Sequence, residues 1–174
     1  VSVSKVWKDA NDKEHTRPKS VKVQLYADGA VQGAPVELSE SNHWSYTWSG
    51  LYVKKGGKAI SYTVKEVGTV DGYKGEVTGD MKCGFTLTNT NVQTTRVAGT
   101  KTWDDDGDRD GVRPGWIRVN LLRDGVKVDS VQVSAGSDGS WAYAFENLPK
   151  FDYGDGHLYD YTVSEDAVKN YSTK

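Results

Sequence analysis

The chain has 174 residues, with 22 Lys or Arg against 24 Asp or Glu and a formal net charge of -2. Because both signs are interspersed, neither a basic surface for nucleic acid nor a polybasic membrane patch is predicted. Gly (19), Tyr (10) and Trp (6) are frequent and Met occurs once, which is typical of short strands joined by turns. No apolar run approaches the roughly 18 residues of a membrane-spanning helix, and no export signal is recognised at the N-terminus.

The chain opens on a predicted strand in which Lys5 shares the alternation of Val3 and Trp7, so its side chain is expected to face the core. A half-buried strand follows at residues 21–25, where apolar and polar residues alternate with a period of two. The Asp28-Gly29 pair after this strand is typical of a hairpin turn.

Two later strands also place polar side chains among apolar ones. Glu66 shares the alternation of Val64, and Asn89 shares that of Leu87. An unpartnered buried charge is very costly, so Glu66, Asn89 and Lys5 are expected to meet in the core.

The same landmarks occur twice in the same order, which predicts two homologous domains. They are a Lys-x-Trp start, an Arg-Pro before the second strand, an apolar strand ending in Asp-Gly, a Trp-x-Tyr run and a Tyr-Thr-Val-x-Glu run. The predicted domains are 1–91 and 97–174, joined by a short linker at 92–96. Short alternating strands at this spacing favour an all-β fold of two tandem immunoglobulin-like β-sandwich domains.

With the closing Thr88-Asn89-Thr90, these motifs resemble the Cna B-type family, the B-repeat domains of collagen adhesins that occur in Gram-positive surface proteins and pilins. The resemblance covers nearly the whole chain. It implies structural stalk or spacer repeats of a cell-surface adhesin or pilin. Such a protein is extracellular and is anchored to the cell wall through a C-terminal region outside this chain.

The resemblance also implies a spontaneous isopeptide bond between Lys5 and Asn89, with Glu66 as the catalytic acid. In the second domain Lys101 and Glu165 match this pattern, with Glu165 in the catalytic position, but no Asn matches. Only nine residues follow Glu165, so the second domain is expected to lack its last strand. From the residues alone, a salt bridge between Lys5 and Glu66 capped by the Asn amide remains an alternative, as does a lysine that reaches the surface.

Burial provides the chemistry for such a bond, because it lowers the pKa of a lysine and raises that of a glutamate. A neutral Lys5 amine can then attack the Asn89 carboxamide while Glu66 polarises the carbonyl and moves protons to the departing ammonia. Folding holds the groups together, so no separate enzyme is needed.

Other motifs point to no further chemistry. The acidic loop from Asp104 to Asp110 is similar to a calcium loop, but Gly115 stands where an EF-hand has its bidentate Glu, so a solvated acidic turn is favoured and no metal is predicted. Cys83 has no second cysteine to pair with and is expected to be a buried small hydrophobe. No catalytic triad, phosphate loop or carboxylate pair is recognised, so neither a cofactor nor enzymatic turnover beyond single-turnover self-cross-linking is expected.

Two further functions remain open. One is a module that binds host matrix or glycan, since sandwich folds carry many functions. The other is a truncated domain that covalently captures a peptide strand bearing Asn. The alternative explanation of the missing strand, which is favoured, is a trimmed or disordered C-terminus whose Asn is present in the natural precursor. The expected partners are neighbouring repeats of the same polypeptide, and host extracellular matrix through another domain; neither nucleic acid nor membrane insertion is expected.

Overall fold

The computed structural model describes all 174 residues, and nearly all of its regular structure is β. The chain forms two compact units. Unit 1 comprises Val1–Gln93 with Phe151–Leu158, and unit 2 comprises Thr94–Lys150 with Tyr159–Lys174. None of the helices is long and apolar enough to cross a bilayer.

Unit 1 is built from nine strands and a single 3₁₀ turn at Glu40–Asn42. The strands are β1 (Ser2–Lys8), β2 (Ser20–Ala27), β3 (Ala30–Ser39), β4 (Ser45–Thr47), β5 (Lys54–Lys55), β6 (Lys58–Ala59), β7 (Tyr62–Glu66), β8 (Tyr73–Asp80) and β9 (Gly84–Asn91). One sheet has the order β4-β1-β9-β8 and the other β3-β2-β7, while β5 and β6 form a small separate hairpin. The first and last strands of the unit, β1 and β9, are therefore neighbours, and they run parallel.

The core of unit 1 lies between these two sheets. Val3 and Leu87 of the four-stranded sheet pack in one apolar cluster with Val23 and Leu25 of the three-stranded sheet, and each of the four is at most 2% exposed. Apolar and polar residues alternate along β1 and β2 because only one face of each sheet packs against this core. This arrangement confirms the predicted immunoglobulin-like sandwich.

The predicted Asp-Gly hairpin turns are present in both units. Asp28 and Gly29 have φ angles of 49° and 81°, and Asp124 and Gly125 have 52° and 80°. Left-handed φ at both central positions is the type I′ geometry that joins two twisted antiparallel strands. The Asp28 carboxylate also accepts a hydrogen bond from the Ser61 amide at 2.8 Å, which ties the turn to the start of β7.

Unit 2 contains five strands: β10 (Thr94–Lys101), β11 (Ile117–Arg123), β12 (Val126–Val133), β13 (Trp141–Pro149) and β14 (Tyr161–Glu165). They form a β10-β13 pair and a β12-β11-β14 sheet. By sequence these strands repeat β1, β2, β3, β4 and β7 of unit 1. Residues 94–96, assigned from the sequence to a linker, lie in β10.

Unit 2 lacks the last strand, as predicted, and it also lacks a counterpart of β8. The consequence is visible in the core. Val64 of β7 is 4% exposed, whereas Val163, at the same place in β14, is 40% exposed. Leu121 of β11 is nevertheless fully buried, so the rest of the apolar cluster of unit 2 remains intact.

Leu25→Ala is expected to lower the free energy of unfolding of unit 1 by about 2–5 kcal/mol, because it leaves a cavity in a fully packed site. Urea denaturation monitored by tryptophan fluorescence measures this. Val31→Ala, at a side chain that is 64% exposed, is the control and should change stability by less than about 0.5 kcal/mol. Equal effects of the two substitutions would contradict the assigned core.

Candidate cross-linking site

The parallel pairing of β1 with β9 brings Lys5 and Asn89 to the same part of the core. Lys5 lies opposite Leu87, and Asn89 lies opposite Trp7, one step further along the same face. Lys5 is only 7% exposed and Asn89 only 1%. A lysine and an asparagine from the two ends of unit 1 are thus buried as diagonal neighbours.

Glu66 reaches this place from the other sheet, at the end of β7. The Asn89 side-chain amide donates a hydrogen bond from Nδ2 to Glu66 Oε1 at 3.0 Å. The Asn89 Oδ1 atom is buried and accepts no hydrogen bond. The carboxyl group therefore lies at the nitrogen of the amide, where a leaving group would depart.

The Lys5 ammonium group has few polar partners. Its Nζ atom lies 3.8 Å from the centroid of the Trp7 ring and donates to the carbonyl oxygen of Val6 at 3.3 Å. Burial lowers the pKa of Lys5 to about 7; the charge of Glu66 opposes this shift, and the positive charge of Arg17 adds to it. A large fraction of the amine is therefore neutral and nucleophilic near neutral pH.

A polar network that the sequence did not reveal holds the Trp7 ring. The Arg17 guanidinium donates to both Asp9 carboxylate oxygens, at 3.0 and 2.6 Å, and the Tyr73 hydroxyl donates to Asp9 Oδ2 at 3.0 Å. Burial tends to raise the pKa of Asp9, but the hydrogen bonds from Arg17 outweigh it and leave that pKa below its ordinary value. Arg17 and Tyr73 both contact the Trp7 ring, at centroid distances of 5.3 and 5.2 Å.

Unit 2 repeats this network within its acidic loop. Arg113 donates to both carboxylate oxygens of Asp105, and the Tyr171 hydroxyl donates to Asp105 Oδ2 at 2.9 Å. The hydrogen bond from Arg113 lowers the pKa of Asp105 to about 2. The interpretation of this loop as a merely solvated acidic turn was therefore incomplete. The repeated spacing of eight residues between Asp and Arg was the available signal.

In unit 2 the lysine and the glutamate bind each other directly. Lys101 Nζ donates to Glu165 Oε2 at 3.0 Å, and the Thr173 hydroxyl donates to the same oxygen at 2.9 Å. The other carboxylate oxygen, Oε1, is buried without a hydrogen-bond partner. Where no Asn amide is present, the acid pairs with the amine.

A cavity of about 920 Å³ lies beside this pair, wholly within unit 2. It is lined by Lys101, Trp103, Val119, Val163 and Glu165, together with the C-terminal residues 170–174. These are the side chains that would face a strand added next to β10.

Cys83 does not lie in a core. It is exposed in the turn between β8 and β9, where its amide donates to the Asp80 carboxylate at 2.8 Å. The expectation of a buried small hydrophobe is wrong, because the alternation of β9 begins only after this turn.

Similarity to known proteins extends over nearly the whole chain. Residues 1–90 and 97–174 match the family described as Cna protein B-type domain. The collagen adhesin of Staphylococcus aureus is 42% identical over 173 residues, which are 99% of this chain and 14% of the adhesin. The crystal structure of two B repeat units of the S. aureus collagen binding protein is 42% identical with a TM-score of 0.57, covering 98% of this chain and 45% of that one. A single B repeat unit of the same protein is 30% identical with a TM-score of 0.46, covering 100% of this chain and 89% of that one.

The shifted pKa of Lys5 predicts a pH dependence of stability in the variant Glu66→Gln, which lacks the predicted catalytic acid. This change also removes the carboxylate that raises the pKa of Lys5, so the pKa in the folded chain stays well below the ordinary 10.5. Between the two values the unfolded chain binds more protons, so the free energy of unfolding should rise with pH from about 7 to about 10. Urea denaturation across this range measures the slope.

The control for this prediction is Glu66→Gln with Lys5→Met, which lacks the titrating amine. Its stability should be flatter over the same pH window. Identical slopes in the two variants would show that Lys5 is not desolvated in the folded chain.

Proposed function

The chain belongs to the Cna protein B-type domain family, and from its geometry we propose that unit 1 cross-links itself through an isopeptide bond between Lys5 and Asn89. The observation that carries this proposal is the Asn89 amide, hydrogen-bonded to Glu66 and buried beside a lysine of lowered pKa. In this proposal the units are stiff repeats in the stalk of an extracellular, wall-anchored adhesin or pilin. Contact with host matrix is assigned to other parts of the longer protein.

The reaction exchanges one amide for another. The neutral Lys5 amine attacks the side-chain carbonyl carbon of Asn89, and the bond from this carbon to Nδ2 breaks as the new bond to Nζ forms. Glu66, hydrogen-bonded to Nδ2, delivers the proton that converts the leaving group to ammonia, and it receives the proton that the attacking nitrogen gives up, so the carboxyl group returns to its starting state. Because folding fixes the reactants, proximity replaces an external catalyst.

The consequence for a stalk is mechanical. Lys5 and Asn89 lie on the first and last strands of unit 1, so a pull on its two ends is transmitted to the cross-link. By analogy with a disulfide that closes a loop of this length, the bond stabilises the fold by on the order of 4 kcal/mol. Unit 1 would then resist extension and proteolysis without a disulfide.

Intact mass spectrometry tests the bond. The chain is expected to be about 17 Da lighter than its unmodified sequence, because ammonia is lost. Glu66→Ala and Asn89→Ala should each restore the full mass, whereas Glu37→Ala, at an exposed position of β3, should keep the deficit. An unmodified mass in the unaltered chain would refute the proposal.

We infer a second function for unit 2, which is the capture of a separate β-strand. Within residues 94–174, strand β10 pairs only with β13, and its other edge carries backbone groups to which an added strand can bind. Lys101 and Glu165, which are hydrogen-bonded to each other, line the cavity beside this edge. The Oε1 atom of Glu165 is buried without a hydrogen-bond partner. A strand with the chemistry of β9, added parallel to β10, would place its apolar residues over the exposed Val163 and its Asn opposite Trp103.

A peptide with the sequence of residues 84–91 should therefore form an adduct with the chain. The adduct mass should equal the sum of the two masses less about 17 Da. Lys101→Ala should abolish the adduct, and so should replacing the Asn that corresponds to Asn89 by Ala in the peptide. Recovery of only the separate masses after prolonged mixing would exclude capture.

A further inference from the structure

Gly75 lies directly opposite Asn89 in the antiparallel pairing of β8 with β9. Its φ angle is not positive, so an L-residue could adopt this backbone without strain. Glycine also weakens a strand relative to residues with a side chain. Neither conformation nor strand stability therefore explains this residue.

The limited space at position 75 explains why a glycine lies there. A Cβ atom built on Gly75 would lie 3.0 Å from Glu66 Oε2 and 3.1 Å from Asn89 Oδ1, and it would meet no other atom within 4 Å. These are two of the three groups proposed to react. Any side chain at this position would press on both of them at once.

A cavity of about 250 Å³ lies beside the same point. It is bounded by Glu66, Gly75 and Leu87, and further by Val70 and Tyr73. The carboxyl group of Glu66 is therefore adjacent to free volume although Asn89 itself is buried. The cavity adjoins Glu66, whose carboxylate accepts the hydrogen bond from the Asn89 amide, and its volume can hold an ammonia molecule.

We propose that Gly75 is a positioning residue of the cross-linking reaction: its missing side chain leaves room for the Glu66 carboxyl to meet the Asn89 amide and keeps open the path by which ammonia departs. This inference rests on the proposed cross-link. Gly75 affects the two side chains proposed to react only by leaving them space. It supplies no proton or electron pair.

The effect of a side chain at position 75 should fall on the reaction and not on the fold. The atoms it would meet are the ends of flexible side chains, which can yield by a few tenths of an ångström at little cost. The 3.0 Å hydrogen bond from Asn89 to Glu66 would be displaced, and proton transfer requires that bond.

Cell-free synthesis followed by intact mass spectrometry over time tests the proposal. Gly75→Ala should slow the appearance of the lighter product by about ten-fold or more, as expected for a displaced general acid. Gly75→Val should leave the chain at full mass over the same period. Lys74→Ala, at the neighbouring exposed position whose side chain points to the other side of β8, should react at the rate of the unaltered chain.

A second measurement separates positioning from simple destabilisation. In the unreactive Glu66→Gln background, Gly75→Val should leave the urea midpoint unchanged or raise it, because valine favours strands. A lowered midpoint would mean that Gly75 is structural and would overturn the inference. Equal reaction rates of Gly75→Val and the unaltered chain would also overturn it, whereas full mass in the unaltered chain would overturn the cross-link itself.

Discussion

Burial of the Lys5 amine beside the first and last strands of unit 1 is the constraint on which the rest of this structure depends. An ammonium group in an apolar core is costly unless it is paired or loses its charge. Here Glu66 is hydrogen-bonded to Asn89, and burial lowers the pKa of Lys5 to about 7. Deprotonation removes the free-energy cost of burying the charge. The neutral amine that results is a nucleophile.

The surroundings of Lys5 are arranged to keep it in place. Its amine lies over the Trp7 ring, which is held in turn by Arg17 and Tyr73 around the buried Asp9 carboxylate. A charged network of this kind contributes little if it is exposed, but Asp9 is only 1% exposed and is fully hydrogen-bonded. Its recurrence in unit 2 around Trp103 shows that this network belongs to the repeat and does not require an asparagine at the position of Asn89.

The two units differ in their last strands and in the partner of the glutamate. With Asn89 present, Glu66 accepts a hydrogen bond from the amide; without a counterpart, Glu165 binds Lys101 instead. The presence of the last strand therefore determines which group binds the carboxylate. The last strand also covers the core, since Val163 is far more exposed than Val64. The same lysine and glutamate positions are accompanied by an asparagine in unit 1 and bind each other in unit 2.

Much of this protein was determined by local pattern alone. Alternation with a period of two identifies the strand faces of Lys5, Glu66 and Asn89, and the duplicated landmarks identify two sandwiches, because both signals lie in contiguous residues. Only the tertiary structure decided which groups meet. Residues far apart in sequence form the hydrogen bond between Glu66 and the amide nitrogen of Asn89, the network of Asp9, Arg17 and Tyr73, and the surroundings of Gly75. The exposure of Cys83 depends on where a turn ends. Side-chain periodicity specifies a face of a strand, whereas contact across strands and sheets is set by register and packing.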